Sequence, residues 1–430
     1  MRRQSLSLLL CAASVALANS NASAGFIDDS KVQLQLKNFY YVHEVDELKV
    51  GQMQDYGSWT QGALFSAKSG YAEFGPLKLG LDATAQYAWR LDGERSNADY
   101  VLPYNYTTHK QQDDFGKWGV TLKAKVSETE LRVGEIFPMT PIVYFDPSRQ
   151  LITSYEGAWL ESKDIKNTKV TLGYLWSINA RYNNQFDDFT LWPNEVAVKD
   201  DKRSDGMYVA GIDHQLTKNI ALSYFYGEMR DIYRQNYLGV DYNKQLDAKN
   251  KIASHVHYFD NREAGDAMFN EIDNQAVSFK FDWTHGPHML EFGYQQMFGE
   301  HTLDAPYFPS IAGWVPQPYL SNWSVAAFVR KDEKSWSLGY TYDFADAGIK
   351  GLSASVKYYD GWNIDNNGLN GNYTSGKEDE VDVVINYVKP EGKLKGLGLQ
   401  LKYINVDYAN VENFGDVTEY RVTTSYTHTF

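Results

Sequence analysis

The residues with the most evident chemistry are cations set in alternating segments. Lys37, Lys357, Lys402 and Arg421 each lie where apolar and polar residues take turns, and each falls on the polar face. In an extended chain successive side chains point to opposite sides, so these four look away from the apolar surface. A row of like charges in a narrow, partly desolvated passage attracts the opposite charge of a solute and raises its local concentration. Lys123, Lys125 and Arg132 repeat the pattern in two further segments. The plainer reading is that Lys and Arg on a polar wall merely pair with neighbouring Asp or Glu.

Enzymatic chemistry finds no comparable footing. There is no Gly-x-Ser-x-Gly elbow, no His-Glu-x-x-His helix and no phosphate-binding glycine loop. His255 and His257 share one face of a strand, and His285 and His288 bracket a turn. Two histidines fall short of the three or four converging ligands that a metal prefers. Neither an enzyme nor a cofactor is expected. The 55 acidic against 41 basic residues and the net charge of −14 also argue against a nucleic-acid partner.

Cations on scattered segments converge only if a sheet carries them. From Lys31 onward the chain alternates in segments of roughly ten residues, the length a tilted strand needs to cross a bilayer. Leu77, Leu79, Leu81, Ala83, Ala85 and Tyr87 mark one face, with Lys78, Asp82, Thr84 and Gln86 on the other. Trp336–Tyr342 and Leu397–Tyr403 repeat this. The chain has 32 Tyr, 21 Phe and 11 Trp at a mean hydropathy of −0.49, without the long apolar runs of a helical membrane protein. These features predict an all-β, antiparallel transmembrane barrel.

The two ends agree with that placement. Arg2 and Arg3 precede an apolar stretch from Leu6 to Leu17, and Ala22-Ser23-Ala24 suits a leader-peptidase site. Residues 1–24 are therefore read as a signal peptide and 25–430 as the barrel domain. Cys11, the single cysteine, leaves with the leader, so disulfides are excluded. Tyr420, Val422, Thr424, Tyr426, His428 and Phe430 share a face and finish on an aromatic residue, an ending that barrel-assembly machinery reads. Lipid and lipopolysaccharide are the expected surroundings, in the outer membrane of a bacterium. A strand that starts soon after the leader leaves no room for a plug domain, which points to passive diffusion.

Nineteen segments resemble strands, whereas single-chain bacterial barrels have even numbers. Short turns at 126–128, 217–219, 284–287, 345–350 and 390–395 suit one end, and longer connections the other. The alternation of ends conflicts between Glu300 and Lys334, so Ser324–Val329 is assigned to one long loop and 18 strands are predicted. The alternative is that Asp231–Ile232 is not a turn. Three long connections, Pro138–Tyr155, Ile178–Asp205 and Glu300–Lys334, are rich in proline or aromatic residues, which favours packing inside the lumen. Tyr307, Phe308, Trp314, Tyr319 and Trp323 have two readings, a stacking track for sugars or anchors that pin a loop to the wall.

Gly25-Phe26-Ile27-Asp28-Asp29-Ser30, Lys37-Asn38-Phe39-Tyr40, Trp59-Thr60-Gln61-Gly62 and Gly134-Glu135 with Pro138 and Pro141 have a familiar order and spacing. So do Ser148-Arg149, Asp231-Ile232-Tyr233-Arg234-Gln235, Lys334-Ser335-Trp336 and Gly351-Leu352. Together they resemble the OprD family of substrate-specific outer-membrane porins over the whole mature chain. The resemblance implies a monomeric 18-stranded barrel whose third and seventh loops form an eyelet. It places Ser148 and Arg149 at that eyelet and maps an acidic residue of the seventh loop onto Asp304. A second acid, typical of members that take basic amino acids, is replaced here by Val315-Pro316-Gln317-Pro318-Tyr319. Positions that often hold arginine in the family read Gly339, Gln400 and His43.

The expected function is a channel for small carboxylate-bearing solutes such as amino acids. Arg149 could grip a carboxylate bidentately, as lysine cannot, while Asp304 faces an ammonium group. An oligosaccharide channel and a weakly selective general pore are the other readings.

Overall fold

The computed structural model describes residues 24–46, 55–93, 98–192, 202–299, 308–313, 315–365, 375–411 and 415–430. The leader reading for residues 1–24 falls almost wholly outside them, as do Asp304, Tyr307 and Trp314.

Eighteen antiparallel strands form the barrel. They are β1 Lys31–Val45, β2 Tyr56–Lys68, β3 Leu77–Arg90, β4 Asp114–Val126, β5 Thr129–Ile136 and β6 Ser154–Ser162. Then come β7 Thr168–Asn179, β8 Met207–Gln215, β9 Ile220–Met229, β10 Tyr233–Gln245, β11 Asn250–Glu263 and β12 Asp273–His285. The last are β13 His288–Phe298, β14 Lys334–Asp343, β15 Leu352–Ile364, β16 Gly376–Val388, β17 Gly398–Ala409 and β18 Val417–Thr429. Each pairs with its sequence neighbours, and β18 closes on β1 in the register Tyr41↔Arg421 and Lys37↔Ser425. Closure leaves no unpaired edge, which matters where no water is at hand to satisfy backbone groups. A three-residue strand, Ala72–Phe74, adds to β3, and a short helix, Ala24–Asp28, packs beside it.

The period-two pattern becomes two environments. Leu36, Tyr40, Trp118, Tyr208, Leu238, Val256, Leu338 and Leu401 face outward and are exposed in the isolated chain. Their chain neighbours face the lumen. All five short turns read from the sequence lie at the end where the chain enters and leaves the barrel, the turn end. The long loops gather at the other, the loop end.

The even strand count is kept at both disputed places. Asp231 and Ile232 make a tight turn, with Asp231 at φ 62° and the Ile232 N–H donating to the Met229 carbonyl at 3.1 Å. Ser324–Val329 alternates like a strand yet forms none. Phe328 sits at φ 53°, a left-handed conformation that no strand accommodates.

On β6–β12 the inward positions are apolar as well. Trp159, Leu175, Val209, Phe225, Tyr237, Phe259 and Ala276 are buried there in one cluster with Ile142 and Val143 of loop 3 (137–153). Phe189 and Leu191 of loop 4 (180–206) join it, as do Phe308, Ile311, Val315 and Leu320 of loop 7 (299–333). Each buried aromatic or aliphatic side chain contributes roughly 1.5–3 kcal/mol, so this cluster holds three loops against one side of the wall. Loop 4 also pairs directly with loop 7 through the bridge Leu191↔Ile311. The family resemblance names loops 3 and 7 as the eyelet pair, whereas only length and composition point the long connection Ile178–Asp205 inward; here it joins the same cluster.

Candidate functional site

Loop 3 is held by the strands nearest the barrel seam. The Gln150 amide donates to the Lys37 carbonyl at 3.1 Å and accepts from Thr60 Oγ1 at 3.0 Å. The Ile152 N–H donates to Gln86 Oε1 at 2.9 Å. Gly62 leaves the space the Gln150 amide fills, since a Cβ there would run into it. The segment Trp59-Thr60-Gln61-Gly62 thus contains a seat for loop 3. Gly62→Ala is expected to push Gln150 out of that seat at a cost of about 1–3 kcal/mol. The check is the temperature at which the barrel loses its fast, folded migration on a gel; an unchanged midpoint would show that the seat carries no load.

A buried ion pair fixes the loop tip. Asp146 is fully buried, and its carboxylate pairs with the Arg181 guanidinium from the start of loop 4. Arg181 also donates to Ser148 Oγ at 2.8 Å, and the Ser148 N–H donates to Asp146 Oδ1 at 2.7 Å. Lys117 of β4 supports the same place by donating to the Ala180 carbonyl at 3.0 Å. Ser148 itself is exposed at the loop surface, and Arg149 next to it is half-buried.

Arg149 lies over the Tyr41 ring, 4.4 Å from its centre, and donates to the Tyr41 hydroxyl at 3.2 Å. Arg421 approaches the same ring at 5.6 Å. Glu419 balances this pair of guanidinium groups only in part. It accepts from the Tyr41 hydroxyl at 2.8 Å, meets His43 Nδ1 at 2.7 Å and binds Arg421 Nε at 2.8 Å. The Arg149 guanidinium makes one hydrogen bond to the protein among the described residues, while it carries five donors.

The four ladder residues all face inward, and each has a partner. Lys37 donates to the Arg149 and Pro147 carbonyls, the latter at 3.3 Å, so it tethers loop 3. Lys402 lies directly across from Arg421 and pairs with Asp382 at 3.0 Å. Lys357, two strands further along, is 4.0 Å from Glu291, which Lys280 holds at 2.9 Å. Lys37, Arg149, Arg421 and Lys402 therefore form one contiguous group, and Lys357 reaches it only through Asp382, which stands across from Lys357 and pairs with Lys402. Lys123 pairs with Asp82 at 2.6 Å, Lys125 with Glu128 at 3.0 Å, and Arg132 with Glu130 and Glu161. Of the positions that often hold arginine, His43 joins Glu419, Gly339 flanks Lys357, and Gln400 bonds to Asn386.

Loop 7 is stitched to β16 by acids at alternating positions. Glu380 accepts the Val325 and Ala326 N–H groups at 3.3 and 2.7 Å. Glu378 accepts the Phe328 N–H at 3.1 Å and Arg330 Nε at 2.7 Å, and Asp382 accepts Ser324 Oγ at 3.1 Å. Burial, with the Glu378 carboxylate close by, holds the Glu333 carboxyl of loop 7 well above the usual carboxylate range. Of the aromatic group, Phe308 packs edge-on against Phe259, and Tyr319 lies 5.7 Å from Tyr237. These contacts match the anchoring reading. Loops 3 and 7 meet where Gln317 Nε2 donates to the Pro141 carbonyl at 2.9 Å.

Sequence reasoning missed Tyr41, Glu419, Asp146 and Arg181, which come together only through closure and loop packing. Glu378, Glu380 and Asp382 did leave a signal, three inward acids in a row on one strand.

Comparison with known proteins gives a consistent result. The family described as outer membrane porin, OprD family, matches residues 24–430. The porin-like protein GalP of Pseudomonas putida is 28% identical over 378 residues, covering 87% of this chain and 86% of that protein. The crystal structure of Acinetobacter baumannii OccAB4 superposes with a TM-score of 0.85 at 31% identity, covering 93% of this chain and 98% of that one. The structure of Pseudomonas aeruginosa OpdK with vanillate gives 0.83 at 25% identity, over 94% of this chain and 100% of that one.

Proposed function

From the premise that this chain belongs to the OprD family of outer-membrane porins and is an outer-membrane channel, we propose that it passes small carboxylate-bearing solutes, amino acids among them, by passive diffusion. The leader 1–24 directs export, and the chain works as a single barrel. Loops 3 and 7 narrow the lumen, and Arg149 at the tip of loop 3 reads the carboxylate.

The observation that carries this reading is the state of Arg149. Its guanidinium is fixed in place by stacking on Tyr41, yet it spends one donor on the protein among the described residues. Planar donors held in position and left over are what bidentate carboxylate recognition needs. Arg421 and Lys402 extend the positive surface from that point along the wall, each moderated by an acid that stops a solute from binding too tightly to leave. Asp304 is the acid assigned to the solute's ammonium group, on the family pattern. The structure of Pseudomonas aeruginosa OpdK with vanillate pairs a similar protein with a small carboxylate.

Liposomes carrying the refolded mature chain should admit glutamate and arginine faster than glucose or a chito-oligosaccharide. Arg149→Ala should cut the entry of the charged amino acids at least about tenfold while leaving glucose entry unchanged, the loss expected for one charge-assisted bidentate contact of about 1.5–3 kcal/mol. Rates that follow solute size alone in both proteins would reduce the chain to a general pore.

A further inference from the structure

We propose that Asp241, His255 and His257 form a binding site for a zinc-type divalent transition-metal ion on the lumen wall beneath loop 7. One oxygen of Asp241 and one ring nitrogen from each histidine lie within 4.8 Å of one another. The two histidines share the inward face of β11, and Asp241 is brought beside them by the β10–β11 register, in which it stands opposite His255.

The hydrogen bonds around the rings single out the free nitrogens. His257 Nδ1 is 2.8 Å from the Tyr319 carbonyl oxygen, which can only accept, so Nδ1 carries the proton. In the neutral ring the Nε2 lone pair is then left over. It is buried, has no hydrogen-bond partner, and lies 3.5 Å from Asp241 Oδ1. Two acceptors thus face each other with a cation's place between them. In a tetrahedral zinc site the ligand atoms stand about 3.4 Å apart, from bonds of about 2.0–2.1 Å. His255 stacks on His257 with ring centres 4.0 Å apart, and its Nε2 reaches Ser321 Oγ at 3.3 Å. That hydroxyl donates to the Phe279 carbonyl at 2.9 Å, so it accepts from His255. Each ring therefore gives one N–H to loop 7 and keeps one lone pair.

An imidazole that donates its far N–H to a backbone carbonyl is the usual support of a metal-bound histidine. Two imidazoles and a carboxylate suit a borderline ion of the zinc class, with the fourth position open to the lumen. The rings must fan apart slightly for both lone pairs to converge. Lys280, across from His255, is the competing charge, and Asp282 and Glu291 hold it at 3.2 and 2.9 Å. Because Tyr319 and Ser321 receive the histidine N–H groups, a bound ion stiffens the stretch of loop 7 that touches loop 3.

The test uses the full mature chain, refolded without a histidine tag and stripped of metal. Calorimetric titration with Zn²⁺ should show one ion per chain, and Co²⁺ should give a visible absorption band. Asp241→Asn and His257→Ala should each weaken binding by at least about tenfold, and His288→Ala at the turn end should not. Gel migration of the folded barrel confirms that each variant folds; if His257→Ala does not, Asp241→Asn and His255→Gln decide. No saturable Zn²⁺ binding, or equal binding by all variants, overturns the site. Zn²⁺ should also slow amide exchange across 317–323 in the parent chain, and binding without that protection overturns the coupling to loop 7.

Discussion

Arg181→Ala is expected to destabilise the barrel by about 3–5 kcal/mol and to raise its single-channel conductance. The substitution leaves Asp146, a carboxylate with no solvent exposure, without its guanidinium partner. Truncating one member of a buried pair costs that much because the remaining charge stays desolvated. The cheapest escape is for loop 3 to swing out and hydrate Asp146. Ser148 loses its bond from Arg181 in the same step, and Arg149 is carried off the Tyr41 ring. An 18-stranded barrel with loop 3 displaced approaches an open aqueous lumen, so conductance should rise several-fold and selectivity fall. Adding Asp146→Asn should recover part of the stability, since no charge is then stranded. A conductance equal to that of the parent, with stability within about 1 kcal/mol, would mean that loop 3 is held by its apolar contacts alone.

Glu380→Ala should release the second half of loop 7. The carboxylate accepts the Val325 and Ala326 N–H groups, and no strand stands ready to replace it. The buried Ala326 N–H left unsatisfied costs about 1–3 kcal/mol, and the half-buried Val325 N–H adds less because water can reach it. Loss should first show as protease cleavage within 320–330 of a barrel that otherwise stays folded, because the strands do not depend on this loop for pairing. Glu380→Gln keeps one acceptor oxygen and should fall between the parent and the alanine variant. If cleavage within 320–330 stays as slow as in the parent, the glutamates of β16 are not what holds the loop.

Much of this protein was determined by local sequence. Alternation at period two set which side chains meet lipid and which meet the lumen, because a strand offers just two faces. The same rule placed Lys37, Lys357, Lys402 and Arg421 inside, and the even-number rule with turn lengths put Ser324–Val329 in a loop. What alternation could not reveal was why that segment is no strand: its amides are taken by Glu378 and Glu380, some fifty residues away. Nor could it tell a free cation from a paired one, since pairing depends on register across strands, as between Lys402 and Asp382. Nor did alternation show that β6–β12 turn apolar residues inward as well, since those residues are covered by three loops that only packing brings there. Asp146 and Arg181, or Asp241 beside His255, become neighbours only when loops fold inward and strands take their register. Periodicity is a property of one segment and survives in the sequence. Juxtaposition belongs to closure and packing, and the tertiary structure alone decided it.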